Sequence, residues 1–167
     1  MCLLNSFQNK LVWSHYSEAH KSVCVTVQVP NQLVYPVCYS KKKVFDDSDI
    51  DQLITESKKA VKKSVDKSFD NLSYFKKVAY IKDRKWEYEK EYRIVFDEKD
   101  NNGLIYDDGK WYMSVKIKNI YLGVNFEKND SKTKQAILSA CKKHKIKITQ
   151  MILDENTYSI RVDSQRR

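Results

Sequence analysis

Three glycines and two prolines are all that punctuate this 167-residue chain. Gly supplies the positive φ of tight turns, and Pro interrupts helices and central strands. A chain this poor in both is expected to be built from regular elements rather than from loops. Its length suits one domain with a sizeable core, and a composition of 41% hydrophobic and 12% aromatic residues supplies the material for that core. No apolar run approaches the roughly 18 residues that cross a bilayer. The opening MCLLNSFQNK has no basic segment followed by an apolar one, so it does not have the pattern of a signal peptide. These features point to a cytoplasmic protein. Cys2, Cys24, Cys38 and Cys141 are then expected as free thiols, three of them within apolar runs.

Hydropathy periodicity orders the elements. CLLNSF predicts a short strand and a turn. KLVWSHYSEAHK, residues 10–21, brings Leu11, Trp13, Tyr16 and Ala19 toward one side and predicts a short helix. VCVTVQV (23–29) is β-branched and alternating, and LVYPVCY follows, with Pro36 marking an edge strand or a bend. Ile50, Leu53, Ile54, Val61 and Val65 recur at helical spacing behind Asp and Ser capping signals, and a second helix is expected from about Asp70 to Tyr80. A strand at 88–96, a turn at DEKDNNG and a hairpin through DDG into KWYMSVKI come next. NIYLGV is apolar enough for a central strand. DSKTKQAILSACKKH is a helix capped by Asp130 or Ser131, and IKITQMIL and TYSIRV close the chain as strands. That order predicts a single α+β domain over residues 1–167, with mixed, largely antiparallel sheets and three to four helices.

Within the strand expected at 88–96, YEKEYRIVF, alternation puts Glu89, Glu91, Arg93 and Val95 on one face. The two carboxylates would then stand roughly 7 Å apart along the strand. Two like charges on one face of a half-buried strand are unfavourable unless Arg93, a ligand or water offsets them. Two readings stay open: a structural acid–arginine cluster that fixes register, or an acid pair that binds something.

Other constellations are weaker. His15, His20 and Cys24 would have to converge to hold a metal, and a five-residue His spacing does not put both rings on one helix face; no metal is expected. Asp83 and Lys85 share the spacing of an acid and a lysine on a nuclease strand, but in a chain this rich in both types chance supplies such a pair. The net charge of +9 fits a phosphate partner through counterion release and equally a solvated surface. The excess gathers in SKKK (40–43), KKAVKK (58–63) and KKHKIK (142–147), with Lys58, Lys59, Lys62 and Lys63 the candidate contacts to a nucleic acid or protein partner.

The segments LVWSHYSEAHKSVCV, VYPVCY, KKVAYIKDRKWEYEKEYRIVF and NIYLGV resemble an uncharacterised bacterial and phage domain family. Its pattern is Trp-Ser-His-Tyr, His-Lys-Gly-x-Cys, a Tyr-containing strand, Trp-x-Tyr-Glu-Lys-Glu-x-Arg and a late Leu-Gly. Ser22 stands where that pattern has glycine. The resemblance also implies a further N-terminal segment in relatives, with Tyr-Lys-Tyr and Asn-Asp-Pro-x-Glu motifs; this sequence opens at what resembles the strand after it, as expected of either a short, diverged member or a fragment. EKEYRIVF further resembles the Glu-x-Glu strand of mono-ADP-ribosyltransferases, which implies a reduced version of their core. By that resemblance Glu91 would stabilise the oxocarbenium-like sugar as nicotinamide leaves NAD, and Glu89 would orient the acceptor. Ser6 would match the serine of the second catalytic strand, with His15, Tyr16 and Arg93 as further NAD-contacting candidates. The functional expectation is therefore an ADP-ribosyltransferase-like domain of a bacterial or phage conflict system that binds NAD or a related nucleotide, with or without turnover. The competing expectation is a non-enzymatic inhibitor or binding protein that touches a nucleic acid or nucleoprotein through a basic face.

Overall fold

The computed structural model describes residues 1–42, 46–60, 74–96, 104–157 and 159–164, without the side chains of 47, 56–60, 74 and 75. The fold is α+β, with helices and mixed, mostly antiparallel sheets. It divides into two compact units that interleave in sequence: Met1–Asn5 with Val29–Ser114, and Ser6–Gln28 with Val115–Arg167. Among the described residues no helix is long and apolar enough to cross a membrane.

In the first unit, β1 (Cys2–Leu4), β6 (Glu91–Arg93) and β3 (Tyr35–Pro36) form an antiparallel sheet in the order β1-β6-β3. Pro36 therefore sits in an edge strand, where a missing N–H breaks no central ladder. β4 (Cys38–Ser40) pairs in parallel with β5 (Ile81–Asp83). α2 (Asp47–Ala60) starts where the Asp46 carboxylate accepts the Asp49 amide at 2.9 Å, and α3 spans Tyr74–Val78. Ile50 and Ile54 bring one face of α2 onto Tyr35, Cys38 and Tyr80, with Ile81 and Val95 packed alongside. Tyr35 and Tyr80 meet edge to face at 5.3 Å, a favoured aromatic geometry. Val61 and Val65, expected to extend that helix face, lie outside the described residues, as does the expected helix start at Asp70. β7 (Leu104–Asp107) and β8 (Lys110–Met113) form a hairpin whose turn takes positive φ at Asp108 (46°) and Gly109 (74°), the twist-matched turn that Asp-Gly favours.

The second unit is a four-stranded sheet in the order β11-β10-β9-β2, comprising β2 (Val23–Gln28), β9 (Lys116–Leu122), β10 (Lys147–Leu153) and β11 (Ile160–Val162). β9 and β10 are parallel, joined through α4 (Ser131–Lys143), whose cap is Asp130 accepting the Thr133 amide at 2.9 Å. Alternation serves two cores. Ile120, Leu122 and Ile148 join Phe126, Ile137 and Cys141, while Tyr121 and Met151 join Trp13, Ile160 and Phe7. Both faces of the central strands are apolar for that reason.

Two strand boundaries differ from expectation. KWYMSVKI is divided: residues 110–113 belong to the hairpin, while Lys116 and Ile117 begin β9, held by register with Gln28 and Val27 of β2. The strand expected over 88–96 is three residues long. Its first part is a 3-10 turn, Arg84–Glu89, with Asp83 accepting the Lys85 amide at 2.8 Å, and it ends on left-handed Lys90 at φ 48°. The local Asp83 cap wins over β-propensity there.

The helix expected over 10–21 is α1 (Lys10–Tyr16), and Trp13 alone is buried on it; Leu11 and Tyr16 are exposed. It stops because Glu18, Ala19 and His20 all take left-handed backbone, at φ 48°, 54° and 68°. Such a conformation is unfavourable by roughly 1–2 kcal/mol per residue, so external bonds must hold it. Asn125 donates its side-chain amide to Ala19 O at 2.9 Å and its backbone N–H to His20 O at 3.0 Å, and Asn129 donates to Lys21 O at 2.8 Å. The Gly123 amide donates to Ser22 O at 3.0 Å. Ser22 itself lies outside the left-handed stretch, which is why serine is accommodated where the resembling pattern has glycine. A Cβ on Gly123 would sit 2.1 Å from His20 O. Gly123→Ala is therefore expected to destabilise the protein by about 3 kcal/mol in urea unfolding; an unchanged midpoint would contradict this packing.

Candidate functional site

The acid pair lies in the first unit, and the chain brings it together by turning rather than by running straight. Glu89 closes the 3-10 turn, Lys90 swings the backbone through left-handed space, and Glu91 opens β6. Both glutamates are only 4% exposed. Lys82 of β5 meets both, its Nζ 2.5 Å from Glu89 Oε2 and 3.0 Å from Glu91 Oε2. The two carboxylates thus converge on one ammonium, nearer to each other than the ~7 Å of alternate positions on a flat strand.

Arg93 completes the cluster. Its Nε donates to Glu91 Oε1 at 2.8 Å and its Nη2 to Glu91 Oε2 at 3.1 Å, the planar fork that guanidinium offers a carboxylate. Its Nη1 donates to Ala79 O. The backbone of Glu91 is equally engaged. Its N–H donates to Tyr39 Oη at 2.8 Å, and its carbonyl accepts the Val37 amide at 2.9 Å. Lys82 also stands 5.2 Å from the Trp86 ring centre, within cation–π range. Cys2, level with Arg93 across the β1–β6 pair, hydrogen-bonds Glu91 through its thiol.

The charges balance, two anions against two cations. Burial alone would raise the Glu91 pKa, but hydrogen bonds from Arg93, Cys2 and Lys82 outweigh it and pull the carboxyl down to about 2. Burial would likewise lower Lys82, and its bonds to Glu89 and Glu91 raise it instead. The hydrogen bond to Glu91 raises Arg93 against its own desolvation. Burial pushes the Cys2 thiol up, and Glu91 adds to that; burial is also the main cause that raises Tyr39. Every one of these groups is held in its resting protonation state near neutral pH. None is poised as a proton donor or acceptor.

The remaining expected residues stand as follows. Arg93 belongs to the cluster. Ser6, His15 and Tyr16 belong to the other unit, where Ser6 is exposed and accepts the Gln8 amide at 3.1 Å. His15 and Tyr16 adjoin edge to face at 6.5 Å, and Tyr16 is 61% exposed. Lys58 and Lys59 fall in the last turn of α2, among the undescribed side chains; Lys62 and Lys63 lie outside the described residues. Asp83 and Lys85 do not form an acid–lysine strand pair, because Asp83 is the cap of the 3-10 turn that contains Lys85. His20 bonds Ser14 Oγ at 3.1 Å and stacks on Trp13, and burial lowers its pKa. Burial raises the Cys24 thiol, which keeps it from acting as a thiolate.

Lys82, Tyr39 and Cys2 are partners that sequence reasoning missed. Lys82 had one available signal: it interrupts the apolar AYI run at the start of a strand, where a cation is tolerated only with partners.

Residues 12–94 match the model of a family described as "Protein of unknown function (DUF2971)". No curated protein and no solved structure matches the chain.

The depressed pKa of Glu91 carries a sign. A carboxyl that titrates near 4.5 when unfolded and at about 2 when folded stabilises the fold fully above pH 4.5. That contribution fades as pH falls toward about 2. Urea unfolding from pH 7 to pH 2 should show this acid-side decline in the natural protein. In Glu91→Gln the decline should flatten, with stability at pH 7 lower by about 3–5 kcal/mol because Arg93 and Lys82 lose a partner. Equal pH profiles for the two proteins would contradict the ion cluster.

Proposed function

We propose, starting from the match of residues 12–94 to the DUF2971 family, that the chain is an ADP-ribosyltransferase-like domain of a bacterial or phage conflict system that acts by binding and does not turn NAD over. One observation supports the absence of turnover. Both glutamates of the Glu-x-Glu arrangement are matched, charge for charge, by Lys82 and Arg93.

The physical argument is one of magnitudes. Stabilising a developing cationic sugar requires an anion held free for it, an interaction of the kind worth about 2.7–4 kcal/mol when a single oriented group supplies it. Here Oε1 of Glu91 accepts from Arg93, and Oε2 accepts from both Lys82 and Arg93. Turning the Glu91 carboxylate to a ligand gives up its bonds to Arg93 and Lys82 together, and breaking a buried pair of this kind costs about 3–5 kcal/mol. The gain and the loss cancel, so the arrangement favours the ion cluster over the transition state. The nucleotide part of the proposal, binding of NAD or a related molecule, draws on the resemblance to mono-ADP-ribosyltransferases. A domain of this kind would serve its system as a recognition or inhibitory module.

Incubation of the protein with labelled NAD and a bacterial cell extract tests this reading. Neither transferred label nor released nicotinamide is expected. Label transfer by the natural protein that disappears in Glu91→Ala would overturn it and establish Glu91 as a catalytic residue.

A further inference from the structure

We infer that the second unit carries a docking surface for the phosphate backbone of nucleic acid, at the end of its sheet where β9 and β10 begin. This goes beyond the reading above and is independent of the acid cluster, which belongs to the other unit.

The topology assembles the surface from segments far apart in sequence. β9 and β10 are parallel, with Lys147 level with Asn119, so both strands start at the same end of the sheet. α4 connects them and runs back along the sheet, so its C-terminus arrives at that end too. Lys116 and Lys118 occupy the start of β9. The register with β2 shifts at Lys118, so Lys116, level with Gln28, lies off the face of Ile120 and Leu122 that α4 covers. Lys142, Lys143 and His144 end α4, left-handed Lys145 turns the chain, and Lys147 opens β10 on the opposite face. All six lysines are exposed. Within β9, Lys116 and Lys118 stand about 7 Å apart, and neighbouring strands are about 4.8 Å apart.

No acidic residue occurs in segments 115–118 or 141–148, and none occurs in β2 segment 25–28, which pairs with the start of β9. Of the acids of this unit, Asp163 follows β11 and donates its amide to Gln150 O, midway along β10, and Glu18 lies in the left-handed turn after α1. Glu127 and Asp130 lie between the end of β9 and the start of α4, and Asp154 and Glu155 follow the end of β10. The helix dipole accounts for part of the cationic charge, since a C-terminus favours lysine. Its partial charge of about −0.5 balances one lysine at most, not six.

The chemistry selects the partner. Segments 115–118 and 142–148 hold no Phe, Tyr or Trp, so the surface offers no platform on which unpaired bases would stack. A helix lying on an anionic bilayer would need a free apolar face, whereas Ile137 and Cys141 of α4 are packed against the sheet. What remains is a compact set of ammonium groups that meets regularly spaced phosphates without reading sequence.

Fluorescence anisotropy with a labelled random-sequence DNA duplex tests the inference. Engagement of about four phosphates predicts an affinity loss of about a hundredfold between roughly 50 and 200 mM salt. Combining Lys116→Gln, Lys118→Gln, Lys142→Gln and Lys143→Gln should weaken low-salt binding at least about tenfold and make the salt dependence shallower. The pair Lys142→Gln and Lys143→Gln, confined to an exposed helix end, should give an intermediate loss and serves if the fourfold variant fails to fold. Lys85→Gln with Lys90→Gln, in the other unit, should leave binding unchanged. Three results would overturn the inference: no duplex binding at low salt, undiminished binding by the lysine variants, or sedimentation with phosphatidylserine vesicles in the absence of duplex binding.

Discussion

The first unit depends on one constraint: two carboxylates withdrawn from water must each find a cation. Burying an isolated carboxylate is far more costly than any single contact can offset, so Glu89 and Glu91 dictate where Lys82 and Arg93 go. That requirement reaches across the unit. Lys82 brings in β5, Arg93 ties β6 to the Ala79 carbonyl, Tyr39 of β4 receives the Glu91 amide, and Cys2 of β1 adds a thiol donor. Short elements of two or three residues would be marginal by themselves. Here the ion cluster and its backbone bonds link four of them. The same satisfaction that makes the cluster structural is what argues against its use in catalysis.

The second unit is organised differently, by alternation around a parallel strand pair. Because β9 and β10 must be buried on both faces, one side receives α4 and the other receives α1 and Phe7. The parallel crossover also has an electrostatic result. It returns the lysine-rich end of α4 to the end of the sheet where both strands begin with lysine, while Glu127, Asp130, Asp154 and Glu155 flank the other ends. The basic surface is thus extended by topology, which brings Lys116 and Lys118 to the end of the sheet where the KKHKIK run lies.

Much of this was legible in the residues. The α+β class, the Asp130 cap, the edge position of Pro36 and the central place of NIYLGV follow from patterns whose periods are local. The grouping of Glu89, Glu91 and Arg93 was legible too, but for a different geometric reason than strand alternation. Glu89 sits in a 3-10 turn, and the left-handed Lys90 does the work that a pleat was expected to do. Asp83 signals that turn only once its side chain is seen to take the Lys85 amide. Lys82 could not be assigned as a partner because its contact depends on the parallel pairing of β4 with β5, a long-range fact. The WSHY and His-Lys segments have an architectural part that local pattern does not show: they feed a left-handed turn that Gly123, Asn125 and Asn129 hold from a hundred residues away.

The most direct measurement of the account is the carboxyl titration of Glu91, followed by carbon-detected NMR with selectively labelled glutamate. The account predicts that this resonance stays in its ionised position down through pH 4 and moves only near pH 2, well below the ordinary 4.5. A midpoint at or above 4.5 would mean that Arg93, Lys82 and Cys2 do not hold the charge, and the ion cluster would no longer explain the fold of this unit or support the proposed absence of turnover.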